Sequence, residues 1–167
     1  MVQPKRTSPA CVVIGWKEVV DLPEWGVRSL VAKSDTGARS SALDVKGIRE
    51  VEDNHVEFDL ILDRKNRRQT TRVRAEILEK VRVRSSNGKV QERFKVRTQI
   101  KIGRVRKDVD FSLVSRQRMI CRVLLGRKAL SPEFLVHPEE KYLQSKRRRA
   151  TVSLLPKHKK HTSRNRK

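Results

Sequence analysis

From about Val12 to Leu143, apolar side chains recur mostly at every second position. Examples are Val81-Arg82-Val83-Arg84 and the series Phe94, Val96, Thr98, Ile100 and Ile102, with mainly polar residues between. Successive side chains of an extended strand point to opposite faces, so this spacing sets one face on a core and the other in water. The body is therefore expected to be mainly β. One helical stretch stands out, a short one starting near Arg127 and stopped before Pro132. Ser86-Asn87-Gly88-Lys89 lies between two alternating runs, and Asn-Gly suits the positive φ angles of a type I′ turn, so a protruding β-hairpin is expected there. A chain of 167 residues carries one domain with a core, plus tails, and shows no internal repeat.

Charge sets the boundaries. Lys and Arg number 41 against 19 Asp and Glu, a formal charge of +22, which draws polyanions at low salt. Residues 144–167 hold ten of those cations, no acid and little that packs; the remaining 31 cations leave the first 143 residues at +12. Like charges repel and too little apolar area offsets the ordering entropy, so this basic tail is expected to be disordered. The expected division is an N-terminal extension at 1–11, a domain at 12–143 and the tail at 144–167.

Several classes find no support. Seven aromatic residues offer few platforms for stacking bases, and neither an RNP-like nor a helix-turn-helix pattern is present. Cys11 and Cys121 lack Cys-x-x-Cys spacing and read as ordinary reduced thiols. The start, MVQPKRTSPA, lacks an apolar segment of signal-peptide type, and no run approaches the ~20 apolar residues of a membrane span. A cytoplasmic protein with no membrane partner is expected.

The segment Val31-Ala32-Lys33-Ser34-Asp35-Thr36-Gly37-Ala38 sets a carboxylate after a strand-like run. Glycine lets backbone amides approach the carboxylate, and the Thr hydroxyl can hydrogen-bond to a neighbouring loop. Two such carboxylates held close share a proton, so that one activates water while the other protonates the scissile carbonyl. The triplet occurs once, so the second carboxylate would come from another copy of the chain in a C2 homodimer. Asp-Thr-Gly is also an ordinary turn, and at this point both readings stand.

About ninety residues downstream, Val123-Leu124-Leu125-Gly126-Arg127 is an apolar run closing on Gly-Arg ahead of the short helix. Together the two segments resemble the retropepsin-like aspartic proteases, and within them the bacterial family long labelled ATP-dependent zinc proteases. Ile14-Gly15-Trp16, Leu22-Pro23, Arg39 to Leu43, Ser85 to Gly88, Glu92-Arg93-Phe94, Val96-Arg97-Thr98 and Phe134-Leu135-Val136 carry the same likeness, over about residues 12–143. The resemblance implies a closed β-barrel with one short helix. It implies Asp35 as the catalytic carboxylate, Thr36 as a buttress of the loops at the dimer axis, and Gly37 and Ala38 as backbone that hydrogen-bonds the dyad and the substrate. It implies that Leu124, Leu125, Gly126 and Arg127 pack behind the site, with the Leu pair in the core, and that the hairpin at Ser86, Asn87 and Gly88 covers substrate. In viral retropepsins an acidic residue four positions after the catalytic Asp pairs with the Arg of Gly-Arg; here that position is Arg39, which leaves the partner of Arg127 open. Lys128 likewise replaces an acidic residue often found after that Arg, so a positive cleft is expected.

Arg39 could take a Glu or Asp side chain of a bound peptide bidentately. The family is similar to proteins found alongside ligases that append glutamates to a ribosomal protein, so an acidic, glutamate-rich peptide or protein is the expected substrate. The family label finds no residues to match it. His-Glu-x-x-His is absent, His55 and His137 stand alone, His158 and His161 fall in the tail, and no Gly-rich phosphate cradle opens a helix; neither metal nor nucleotide cofactor is expected. A competing reading from another class is a non-catalytic basic β-barrel that binds RNA or the ribosome, through its tail among other surfaces.

Overall fold

A computed structural model describes residues 11–84, 90–115 and 120–153. The strands are β1 (Val12–Leu22), β2 (Val27–Ser34), β3 (Ser41–Val51), β4 (His55–Ile61), β5 (Thr70–Glu76), β6 (Glu79–Arg84), β7 (Val90–Ile102), β8 (Val105–Val114), β9 (Val123–Leu125), β10 (Phe134–Lys141) and β11 (Thr151–Val152). Among the described residues one α-helix, α1 (Arg127–Leu130), follows β9, where it is expected, and a 3-10 turn at Pro23–Trp25 joins β1 to β2.

Six strands close a barrel in the order β1-β2-β9-β3-β8-β7, and Asp21 of β1 pairs with Lys101 of β7 to shut it. Closure removes free edges that would otherwise template association. The inward positions are those the alternation marks: Val96, Thr98, Ile100 and Ile102 are all buried on β7. Beyond Asp44, β3 leaves the barrel and pairs with β4, which pairs with β5. Phe58 of β4 and Val73 of β5 join Ile14, Leu30, Leu43 and Phe111 in one core. Trp25 closes over Phe58 edge-to-face with centroids 5.7 Å apart. β6 and β7 pair antiparallel from Glu79↔Lys95 to Arg84↔Val90, so the expected hairpin is present, but in a register that leaves an odd number of residues between its paired ends rather than the one a two-residue Asn-Gly turn sets; the turn at Ser86, Asn87 and Gly88 lies outside the described residues.

Two pairings of β9, one parallel and one antiparallel, position the candidate site. β9 lies between β2 and β3, parallel to β2 (Ala32↔Val123 to Ser34↔Leu125) and antiparallel to β3 (Ala42↔Leu124). Because β2 and β9 run the same way, the chain leaves both at one rim, with Asp35 after Ser34 and Gly126 after Leu125.

The C-terminal side differs from expectation. Residues 144–153, read from sequence as the start of a disordered tail, lie against the barrel. The Gln144 side-chain amide donates to the Val13 carbonyl at 2.7 Å, and β11 pairs antiparallel with β2 through Thr151↔Arg28 and Val152↔Val27. The Ser153 amide donates to the Gly26 carbonyl at 2.9 Å. Backbone hydrogen bonds to an open stretch of β2 supply what the sparse apolar side chains do not. Among the described residues no helix is long and apolar enough to cross a membrane.

Candidate active site

Asp35 sits where β2 ends. Just before it, buried Ser34 donates its hydroxyl to the Gly15 carbonyl at 3.0 Å, and the Asp35 amide donates to the Leu125 carbonyl at 2.8 Å. Its carboxylate is then held by the loop itself: Oδ1 accepts the amides of Gly37 at 3.1 Å and Ala38 at 3.2 Å. Asp35 is half-buried, while Thr36 and Gly37 are exposed at the barrel rim. The side chain is therefore fixed in direction yet open on one side.

The second segment laces this loop shut. The Arg127 amide donates to the Ala38 carbonyl at 2.8 Å and the Lys128 amide to that of Arg39 at 3.2 Å. Gly126 donates to the buried Ser41 hydroxyl oxygen at 3.1 Å. A Cβ on Gly126 would fall 2.5 Å from the Ser40 carbonyl oxygen, so only glycine lets the two chains approach this closely. Arg127 turns its guanidinium back over the loop and donates to the carbonyls of Thr36 at 3.0 Å and Gly37 at 2.9 Å. That answers the question left by Arg39: main-chain oxygens take the place of an acidic side chain. Leu125 is buried as expected, but Leu124 is only half-buried, since neighbours on a strand face opposite sides. Arg39 is exposed, and among the described residues no ion pair engages its side chain.

Beside the loop lies a cavity of about 500 Å³ whose wall includes Ser40, Ser41 and, from α1, Lys128 and Ala129. Two ion pairs border it: Arg97 to Asp110 through Nε at 2.6 Å, and Lys95 to Glu79 at 2.6 Å. The hydrogen bond from Arg97 holds the Asp110 carboxyl below the ordinary Asp value. With those cations paired, Arg39, Arg127 and Lys128 are the cations at this rim that no ion pair engages among the described residues, while Asp108, also without an ion pair, puts one acid on the cavity wall.

Three supports escaped the sequence reading: the hydroxyls of Ser34 and Ser41, and the buried cluster in which Asp44 takes Arg122 and, at 2.6 Å, Arg67. Ser34 directly precedes the triplet and Ser41 lies four residues after it, two short hydroxyls close to the loop, which was a usable signal; nothing local marks Asp44 as the partner of cations 23 and 78 positions away. No group of three or more His, Cys, Asp or Glu converges among the described residues. Both cysteines are free, and burial pushes the Cys121 thiol up, away from the reactive thiolate.

Comparison with known proteins agrees with this arrangement. Residues 13–147 match the family described as "RimB-like: Retropepsin-like aspartic endopeptidase RimB". Two curated relatives are each named "Probable alpha-L-glutamate ligase". The one from Shewanella halifaxensis is 31% identical over 133 residues, covering 78% of this chain and 29% of its own. The one from Desulfotalea psychrophila is 29% identical over 129 residues, covering 75% and 28%. The chain thus spans under a third of the length of these relatives. A crystal structure from Legionella pneumophila, of a protein described as having unknown function, superposes with a TM-score of 0.67 at 25% identity, covering 80% of this chain and 98% of that one. With the carboxylate loop, its Gly-Arg clamp and the closed barrel in place, the chain belongs to the RimB-like family of retropepsin-like aspartic endopeptidases.

Proposed function

We propose that this chain is one half of a homodimeric aspartic peptidase that cleaves acidic, glutamate-rich extensions. The observation that carries the reading is the Asp35 carboxylate, pinned by two backbone amides yet open at the rim, in a chain with a single Asp-Thr-Gly. Two such loops meeting at a twofold axis bring the carboxylates together, where they share one proton. The ionised carboxylate takes a proton from water as its oxygen attacks the scissile carbonyl carbon, and the protonated one donates to the carbonyl oxygen. The C–N bond then breaks as the amine leaves with a proton. Thr36 buttresses the paired loops, and Gly37 and Ala38 present backbone to the dyad and substrate.

Acidic substrate is supported by the unpaired Arg39 and Lys128 at the rim. It is supported also by relatives whose names concern glutamate ligation, since a glutamate-adding ligase forms the class of amide that this hydrolase would break. Those same names favour a second reading, in which the domain grips glutamate chains without cleaving them. An oligoglutamate peptide and a neutral peptide of equal length separate the two. The wild type is expected to cleave the first much faster, to sediment as a dimer, and to lose ~10³-fold or more in rate on Asp35→Asn. An Asn variant that cleaves like the wild type, or a strictly monomeric active protein, would falsify the dyad.

A further inference from the structure

At the other end of β2 lies a second cavity, of about 530 Å³, whose wall includes Ser29 and Val31 of β2 and the loop that precedes β9. Val31 is four residues, roughly 13 Å of strand, before Asp35. The cavity is therefore separate from the Asp35 rim. Its charge is one-sided. Arg147, Arg148 and Arg149 line it from the C-terminal side, Arg64 and Lys65 from the β4–β5 loop, and Lys17 from β1. Asp63 is the acid among the lining residues, and its Oδ1 is occupied by the amides of Lys65 at 2.7 Å and Asn66 at 2.8 Å. Arg122 also reaches the wall but is committed to Asp44. Among the described residues no ion-pair contact engages Arg64, Lys65 or the three consecutive arginines, although Arg149 and Lys65 lie near enough to Asp63 to help hold its carboxyl below the ordinary value.

The arginines are not on a loose end. The chain bends at Tyr142, in the left-handed region at φ 57°, where its amide donates to the Lys17 carbonyl at 2.8 Å. The amides of Leu143, at 2.7 Å, and Gln144, at 3.4 Å, then donate to the buried Glu18 carboxylate. On the far side, β11 and Ser153 fasten to Val27, Arg28 and Gly26. Residues 145–150 thus form a strap anchored at both ends, which holds three exposed guanidiniums over the cavity.

We propose that this cavity is a binding site for the phosphodiester backbone of single-stranded RNA, independent of Asp35. Assembling like charges costs stability unless a polyanion compensates them, and here the fold spends two sets of hydrogen bonds to do it. Arginine outnumbers lysine in the wall, and a guanidinium plane both forks a phosphate and stacks on a base, with half-buried Tyr142 beside it as a further face. A glutamate chain offers nothing to stack on, and at this end of β2 it would gain nothing from the candidate catalytic rim.

The test is fluorescence anisotropy of a labelled oligouridylate, about twenty nucleotides long, with the full chain across a salt series. If five or six cations each neutralise a phosphate, log affinity falls with log salt at a slope of about −4. The triple variant Arg147→Gln, Arg148→Gln, Arg149→Gln is expected to weaken binding at least ~10-fold and reduce the slope by about 2. Asp35→Asn is expected to bind like the wild type, and Lys157→Gln, Lys159→Gln, Lys160→Gln to lose less than the strap variant. Three results would overturn the site: a strap variant that binds like the wild type, a larger loss from the 157–160 variant, or unlabelled oligoglutamate competing as well as unlabelled oligouridylate.

Discussion

Arg127 donates from one nitrogen to two carbonyls of the Asp-Thr-Gly loop, and its own amide holds a third, so a single residue fixes the peptide planes on either side of Gly37. Charged donors to carbonyls contribute more than neutral ones, though exposure here reduces the figure. Arg127→Met is expected to cost about 1–2 kcal/mol in urea unfolding and proportionally more in peptide hydrolysis, with Arg127→Lys retaining part of both. Gly126→Ala acts differently, because its methyl meets backbone rather than a yielding side chain. It is expected to destabilise the fold by about 1–3 kcal/mol and to displace the Asp35 loop, read as chemical-shift changes at Gly37 and Ala38. At this scale the triplet and the Gly-Arg were legible in sequence because each is local. The clamp between them was not, since its acceptors are main-chain oxygens that carry no residue identity.

Among elements, the strap from Tyr142 to Ser153 depends most on one side chain. Buried Glu18 accepts the amides of Gly15, Leu143 and Gln144 on Oε1, tying β1 to the chain that leaves β10. Glu18→Ala leaves buried donors unmatched and is expected to cost about 2 kcal/mol. Hydrogen exchange at the Leu143 and Ser153 amides should accelerate together; unchanged exchange at Ser153 would show that β11 docks without Glu18. Period-two spacing made β7 readable, and Asn87-Gly88 marked the β6–β7 pairing. Two other tight connections passed unmarked. Asp53 and Asn54 both take positive φ between β3 and β4, and Gly103 does so between β7 and β8. Asp-Asn is a weaker signal than Asn-Gly, and Gly103 is followed by arginine rather than a turn-former. β11 was unreadable in principle: two exposed residues become a strand only because β2 offers them an edge.

For the whole molecule, pH acts through its ion pairs. Hydrogen bonds from Arg97 and Lys107 hold Asp110 and Glu133 below their ordinary values, and amides of the 63–66 turn do the same for Asp63. Each folded carboxyl is the stronger acid, so its stabilisation is complete above the unfolded value and is lost as pH falls through the folded one. The melting temperature is therefore expected to be flat near neutrality and to drop below about pH 4. Added salt should soften self-repulsion in a chain whose formal charge is +22. A melting temperature unchanged between pH 5 and pH 2.5 would contradict these assignments. Alternating hydrophobicity determined that the chain is β, and the charge count determined that it is a polycation, because both are properties of residue order alone. Which strand lies beside which was decided only in three dimensions: inserting β9 between β2 and β3 joins segments about ninety positions apart, and folding the strap onto β2 turns three tail arginines into the wall of a cavity. Such contacts depend on which chain edges remain open once the core has closed, and no local stretch of sequence records that.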